Sequence, residues 1–157
     1  MNRINPVVLI IATVIAGGVA HADGQQTEGF FGNWVVTAVM RTSGVSAITR
    51  EEAATYLGTP VGYAASRAAF GSGYLDSPSY RKRVVSGGNF LQENRIPLAQ
   101  LGVHRPRVTE VTVADRSGRM WRGLGNLFYV RDANHLIVLV KGMYLELSRE
   151  KNSRPRH

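Results

Sequence analysis

The sequence predicts a mainly β protein, a small antiparallel β-barrel with one or two short helices. In residues 107–147, runs of β-branched and aromatic residues recur at a spacing of roughly 8–12 residues, with turns between them, which is typical of an antiparallel meander. A tight glycine entry at Gly32-Asn33-Trp34 begins a first strand, and only residues 49–57 carry a full helix signature. Closing such a meander into a barrel would remove its exposed edges.

The first residues predict a secretory signal peptide. Arg3 supplies a positive charge, residues 7–15 are almost all apolar, and Ala20-His21-Ala22 offers a cleavage site after Ala22. The apolar run is short of the roughly 20 residues that a membrane-spanning helix needs, so a transmembrane segment is the weaker interpretation. We expect residues 1–22 to be removed and the mature protein to be periplasmic or secreted.

The rest of the chain is expected to form a single domain. It has no cysteine, so packing alone must hold the fold outside the cell. No internal repeat or low-complexity linker interrupts it. We expect residues 23–148 to form one β-barrel domain, and residues 149–157 to be the end of the last strand and a basic flexible tail.

Residues 49–57 predict the clearest helix. Thr49 and Glu52 have the spacing of a capping box, in which each side chain accepts a hydrogen bond from the other residue's backbone N–H. Ile48 and Leu57 are expected to face inward.

The predicted strands are short and separated by turn-forming residues. In chain order they are residues 34–41, 61–65, 67–70, 107–114, 119–124, 127–130, 135–140 and 143–147. Turns are predicted at Gly71-Ser72-Gly73, Asp76-Ser77-Pro78 and Gly87-Gly88-Asn89. Residues 96–101 predict a second short helix that stops at Gly102.

The charge of the chain favours anionic partners. The formal net charge is +8, and all but three of the 19 basic residues are arginines. Membrane outer leaflets, cell-wall polymers and acidic proteins are the partners that such a charge attracts. Nucleic acid is not expected, because the chain is exported and carries no known nucleic-acid-binding module. Contact with a membrane surface is compatible with the charge, although no spanning segment remains after processing.

Two short motifs at opposite ends of the chain resemble a known group of folds. Gly32-Asn33-Trp34 begins the first strand, and Arg149 closes the last. This pairing resembles the calycins, the lipocalin-like and fatty-acid-binding-like β-barrels, in which a Gly-x-Trp packs beneath an arginine from the last strand. The resemblance implies a small exported lipocalin-like protein in which Gly32, Trp34 and Arg149 form a structural latch. A guanidinium stacked on an indole ring, its donors capping carbonyls, makes physical sense of that latch.

Apolar residues along the predicted strands, Trp34 among them, are candidates to line a ligand cavity. The other candidates are Val36, Tyr63, Phe70, Phe90, Val111, Val113, Phe128 and Ile137. A barrel of about eight strands has room for its own side chains or for one small ligand. The sequence leaves both a hollow interior and a solid core open.

Two basic segments are candidate surfaces for an anionic partner. They comprise Arg81, Lys82 and Arg83, and then His104, Arg105 and Arg107. The plainer interpretations are a solvated loop for the second segment and, for the first, a charged strand face that discourages strand addition.

No catalytic constellation is visible in the sequence. Asp132 and His135 could act as a base and the group that orients it, but no nucleophile stands beside them, and a hairpin turn capped by the aspartate is the favoured interpretation. No metal-ligand or phosphate-loop spacing occurs, so no metal or other cofactor is expected.

We therefore expect an exported, non-enzymatic binding protein that carries a small apolar or amphipathic ligand in a lipocalin-like barrel. The alternative is a periplasmic protein-interaction module, an inhibitor or immunity-type protein whose basic surface steers it to an acidic partner.

Overall fold

The computed structural model describes residues 28–42 and 44–151, apart from the side chains of Arg41 and Thr42. The predicted signal peptide and the end of the basic tail lie outside the described residues. Within them, nine antiparallel strands form a strongly curled, barrel-like sheet accompanied by short helices. The predicted mainly β fold class is therefore confirmed. No helix in the described part is long and apolar enough to cross a membrane.

Short strands and helices follow one another along the chain. In order they are β1 Gly32–Thr42, α1 Arg50–Ala54, β2 Pro60–Tyr63, β3 Arg67–Phe70, β4 Gly73–Asp76, β5 Ser79–Ser86, α2 Gly87–Asn94, a 3-10 helix Leu98–Leu101, β6 Arg107–Ala114, β7 Leu127–Val130, β8 His135–Val140 and β9 Met143–Arg149.

Apart from β4 and β5, which do not pair with each other, each strand pairs with its neighbours in sequence. β1 also pairs with β9, so the first and last strands meet in the middle of the sheet. The strand order is β4-β3-β2-β1-β9-β8-β7-β6-β5. Trp34 lies directly opposite Arg149 in the β1–β9 ladder. The two edge strands, β4 and β5, follow one another in the chain.

The sheet stays open between β4 and β5 for a topological reason. Every neighbouring pair in the nine-stranded order is antiparallel, so the first and last strands of that order must run in the same direction. A parallel pair needs a crossover of a dozen or more residues, whereas only Ser77 and Pro78 join β4 to β5. Side-chain bonds reach across the curl: the Tyr80 hydroxyl donates to the Ala64 carbonyl and the Tyr63 hydroxyl to the Gly125 carbonyl, each at 2.8 Å.

The sheet is packed on both faces. The concave face encloses the larger cluster, with Trp34, Tyr63 and Phe128 among its buried residues. On the convex face, α2 and the 3-10 helix cover β5 to β9 through a second cluster around Phe90 and Tyr144.

Helix α1 begins as predicted but is shorter. Thr49 and Glu52 form the capping box, with the Thr49 N–H donating to Glu52 Oε2 at 2.7 Å. The α-helix ends at Ala54 and continues only as turns. The prediction that Leu57 faces inward is wrong, since its side chain lies beyond the helix and is 48% exposed. Ile48 packs against the inner cluster as expected.

One segment predicted as a turn, and the residues between two other predicted turns, form regular elements. The glycines at 87 and 88 begin α2, because the Ser86 side chain caps it by accepting from the Asn89 N–H and because Phe90 is buried. Residues 73–76 form β4, whose pairing with β3 places Leu75 opposite Ala68 and half-buries it.

Residues 119–124, predicted to form a strand, do not. The segment makes a single bridge, Ala114 to Met120, and then turns away. The Asn126 side chain holds the turn by donating to the Trp121 carbonyl at 2.7 Å.

Candidate functional site

Gly32, Trp34 and Arg149 close one end of the curled sheet. The Arg149 guanidinium carbon lies 4.1 Å from the centre of the Trp34 ring. Its three nitrogens donate to backbone carbonyls: Nε to Ala133 at 2.8 Å, Nη1 to Phe31 at 2.9 Å and Nη2 to Gly29 at 2.7 Å.

The first residue of β1 must be glycine for this closure to fit. Gly32 has a φ of +146°, and a Cβ there would lie 2.5 Å from Arg149 Nη1. With each of its nitrogens donating to a carbonyl of the chain itself, Arg149 is suited to a structural role rather than to binding a ligand.

The predicted cavity residues fall on two different faces of the sheet. Those that belong to the inner cluster are Val36, Tyr63, Phe70, Val111, Val113 and Phe128. Phe90 and Ile137 belong to the convex-face cluster, so their assignment to the same interior needs correction. Phe90 is part of α2 rather than a strand. Because β8 is buried on both faces, Ile137 can point away from the concave side, toward the helices, and still be buried.

Aromatic rings fill the concave side where a ligand would have to sit. Tyr63 and Phe128 stack with ring centres 4.3 Å apart. Phe30, from the turn before β1, adds its ring 5.3 Å from Phe128 and 5.2 Å from Tyr80. The Tyr63 hydroxyl donates to the Gly125 carbonyl at 2.8 Å, so its polar end is satisfied inside the protein. Burial of this hydroxyl raises the pKa of Tyr63 well above its usual value.

The basic run on β5 is divided between the two faces of the strand. Arg83 faces α2 and is bound by two carboxylates, Glu93 and Glu110, each at 3.0 Å. Lys82 points to the other face, where its ammonium lies 2.8 Å from a Glu28 carboxylate oxygen. In the described part of the chain, the Arg81 side chain has no ion pair or hydrogen bond.

The backbone of β6 shows which groups of β5 are unpaired. The Val113 N–H donates to the Asn126 carbonyl at 2.8 Å, and the Val113 carbonyl accepts from the Trp121 N–H at 2.9 Å. Both backbone groups of Val113 therefore face away from β5. Because this direction alternates along a strand, the residues on either side of Val113 are the ones that bond to β5.

It follows that β5 has a free edge. Arg81 and Arg83 lie opposite Thr112 and Glu110, whose backbone groups point toward β5, so the backbone groups of both arginines are bonded in the β5–β6 ladder. Tyr80, Lys82 and Val84 direct their N–H and C=O groups to the open side, where none of the described residues bonds to them. The Val84 side chain is also 65% exposed. We call this side of β5, residues 80–84, the open edge.

The second basic segment lies beside the open edge. Residues 84 and 105–109 line a cleft of about 480 Å³, with Val84 at one side. Arg105 donates to the Val130 and Arg131 carbonyls, so it supports the loop. The exposed side chains of His104 and Arg107 make no ion pair or hydrogen bond within the described residues. Arg107 lies opposite Ser86, at the end of β5.

Asp132 and His135 are in contact, as part of a turn. His135 Nδ1 lies 2.9 Å from Asp132 Oδ1, and the same oxygen accepts from the Asn134 N–H at 2.8 Å. Partial burial acts to raise the pKa of Asp132, but these hydrogen bonds and the nearby Arg131 outweigh it and lower that pKa.

The structure brings one hydroxyl near this pair, which the sequence did not indicate. Ser148 lies across the β8–β9 ladder from His135. Its hydroxyl is within 3.0 Å of the Thr37 hydroxyl, and no described hydrogen bond joins it to His135. The three residues therefore do not form a linked nucleophile, base and carboxylate.

The open edge was missed in the sequence because it depends on the parity of the whole sheet. The local signal was the alternation Tyr80-x-Lys82-x-Val84, which predicts that these side chains share one face but not that their backbone groups are unpaired.

No group of three or more potential metal ligands occurs among the described residues. No protein-family model, no curated protein and no solved structure matches the chain significantly.

Proposed function

We propose that the protein is an exported, non-enzymatic binding module that takes up an extended acidic segment of a partner protein along the open edge of β5. The single observation that carries the proposal is the free backbone of Tyr80, Lys82 and Val84 beside two arginines without ionic partners among the described residues. An unpaired strand edge is a template for another strand, and backbone hydrogen bonds supply the affinity in such complexes.

The charges around the open edge select the kind of strand that binds. Arg81 lies near one end of β5 and Arg107 opposite Ser86 at the other, about 17 Å apart at the rise of a β-strand. A bound strand of five or six residues would span both. Basic side chains at an edge repel a second copy of the same edge and favour an acidic strand, which also approaches faster. An acidic partner protein of this kind is what we expect for an inhibitor or immunity-type protein.

The packed interior supports a surface function over ligand carriage. A small apolar ligand on the concave side would have to displace rings that already stack on one another, such as Tyr63 and Phe128. The finer assignment to a lipocalin-like, calycin-type architecture is part of the proposal, and the contact of Arg149 with Trp34 supports it.

A peptide titration monitored by amide NMR tests the proposal. The probe is an acetylated and amidated Thr-Glu-Val-Glu-Val-Glu-Thr peptide, and its control has lysines in place of the glutamates. We expect the acidic peptide to slow hydrogen exchange at Tyr80, Lys82 and Val84, and the lysine peptide to leave all three unchanged.

Two variants separate the backbone from the charge. Val84→Pro keeps every charge but removes an N–H from the open edge, where proline is tolerated, and it should abolish peptide binding. Arg81→Gln with Arg107→Gln keeps the backbone and should weaken binding and reduce its dependence on salt. Protection of the three amides by neither peptide, or equal binding by the Val84→Pro protein with an unchanged melting temperature, would refute the proposal.

A further inference from the structure

A second exposed surface lies at the hairpin that follows β6. Met120, which bridges to Ala114 directly after the turn, is 49% exposed. The tip is held by Asp115, whose Oδ1 accepts from the Ser117 N–H at 2.8 Å and from the Arg119 N–H at 3.1 Å. The Ser117 hydroxyl bonds to the same oxygen, and these bonds lower the pKa of Asp115. The hairpin is thus ordered before it meets a partner, which reduces the entropic cost of binding.

Trp121 follows Met120 in a fixed orientation. Its ring lies against Gly123 so closely that a Cβ at residue 123 would overlap it. Its backbone N–H donates to the Val113 carbonyl at 2.9 Å. Trp121 is partly buried: it packs against the inner cluster and keeps some of its surface exposed to solvent. An indole held at the surface in this way is suited to an interface between water and an apolar phase.

Arginines surround these apolar side chains. A cleft of about 450 Å³ is bordered by Leu75, Asp115, Arg119, Met120, Trp121 and Arg122. Arg119 pairs with Asp115 at 3.3 Å, and Arg116 donates to the Ser77 hydroxyl at 2.7 Å. The exposed Arg122 has no ion pair or hydrogen bond with the described residues.

The neighbouring strand β4 extends the surface with the same mixture of groups. Tyr74 is 58% exposed, and the Arg67 guanidinium carbon lies 4.5 Å above its ring. Arg67 also pairs with Asp76 at 2.7 Å. Four arginines therefore face two aspartates in this part of the described chain, which leaves an excess of positive charge around exposed aromatic and methionine side chains.

We infer that this surface, residues 67, 74–76 and 115–122, binds an anionic lipid bilayer. A bilayer surface matches both parts of it, since anionic headgroups attract the arginines and the interface accepts Met120 and the open part of Trp121. Met120 and Trp121 border the same shallow cleft as Arg119 and Arg122, so the headgroup contacts and the apolar contacts lie side by side. None of the residues of this surface belongs to the open edge of β5.

Vesicle binding monitored by tryptophan fluorescence tests the inference. The chain has two tryptophans, and Trp34 is fully buried, so a change in emission reports Trp121. We expect the full mature protein, at low salt, to show a blue shift and lower acrylamide quenching with phosphatidylglycerol vesicles and no change with phosphatidylcholine vesicles.

A matched pair of double variants assigns the binding to this surface. Met120→Ser with Arg122→Gln should lower the partition coefficient roughly 25-fold, since an arginine near an anionic surface and a partly buried methionine each contribute about fivefold. Val84→Ser with Arg81→Gln makes the same kind of chemical change at the open edge and should leave the partition coefficient within about twofold. Absence of binding to phosphatidylglycerol, equal binding by both lipids, or equal losses in the two double variants would overturn the inference.

Discussion

Replacing Arg149 with alanine should destabilise the protein by about 3 kcal/mol. The change removes a cation–π contact, worth about 1 kcal/mol in a partly buried setting. It also removes a charge-assisted bond to the half-buried Phe31 carbonyl, worth about 1.5 kcal/mol, and two more exposed bonds to Gly29 and Ala133 that water replaces at a small net loss. The first and last strands meet at this point, and no other described arginine has an equivalent set of contacts.

Urea unfolding, followed by circular dichroism, measures this loss. Arg81→Ala is the matched control, because its side chain is exposed and has no ion pair among the described residues; it should change stability by less than about 0.5 kcal/mol. Arg149→Lys keeps the positive charge, but an ammonium group cannot reach the three carbonyls that the guanidinium bonds to. It should therefore recover less than half of the stability lost in Arg149→Ala. If the urea midpoint of Arg149→Ala equals that of Arg81→Ala, and the dependence of the unfolding free energy on urea is unchanged, the structural role of Arg149 is refuted.

Three further variants test other parts of the fold. Trp34→Ala should cost about 3–5 kcal/mol, as truncations of fully buried large aromatics do, and a loss below about 1 kcal/mol in urea unfolding would show that the ring is not central. Thr49→Ala should cost about 1 kcal/mol by breaking the capping box, whereas Thr55→Ala, beyond the helix, should cost less in the same assay. The pKa of Asp132 is lowered in the folded state, so its ionised form stabilises the protein above about pH 4 and this contribution is lost as the pH falls below that value. Asp132→Asn should thus be less stable than the parent at about pH 7, and thermal melts at about pH 2 should show the gap closing; a constant gap would contradict the assignment.

The sequence predicted the elements whose local pattern was strong. The bounds of β3, β6, β7 and β8 match those expected, because turn residues flank each of them and because β6 also alternates in β-branched residues. The capping box located the start of α1 for the same reason. Local hydrogen-bonding chemistry was sufficient in these places.

The rest depended on tertiary contacts that a local pattern does not contain. β8 is buried on both faces, so alternation could not reveal that Ile137 points away from the concave interior. Two glycines concealed the start of α2, whose stability comes from the Ser86 cap and the burial of Phe90. β4 is short and begins with Gly73, and without it the number of strands, and hence the open edge, could not be deduced.

The open edge of β5 can be measured directly by hydrogen exchange of the free protein. In native-state NMR, the amides of Arg81, Arg83 and Val85 should exchange slowly because β6 accepts their hydrogen bonds, and those of Tyr80, Lys82 and Val84 should exchange at nearly the unprotected rate. This alternation along one strand is the result that an open sheet predicts. Equal, strong protection of all six amides would mean that the barrel is closed or its edge already covered, and would contradict the account.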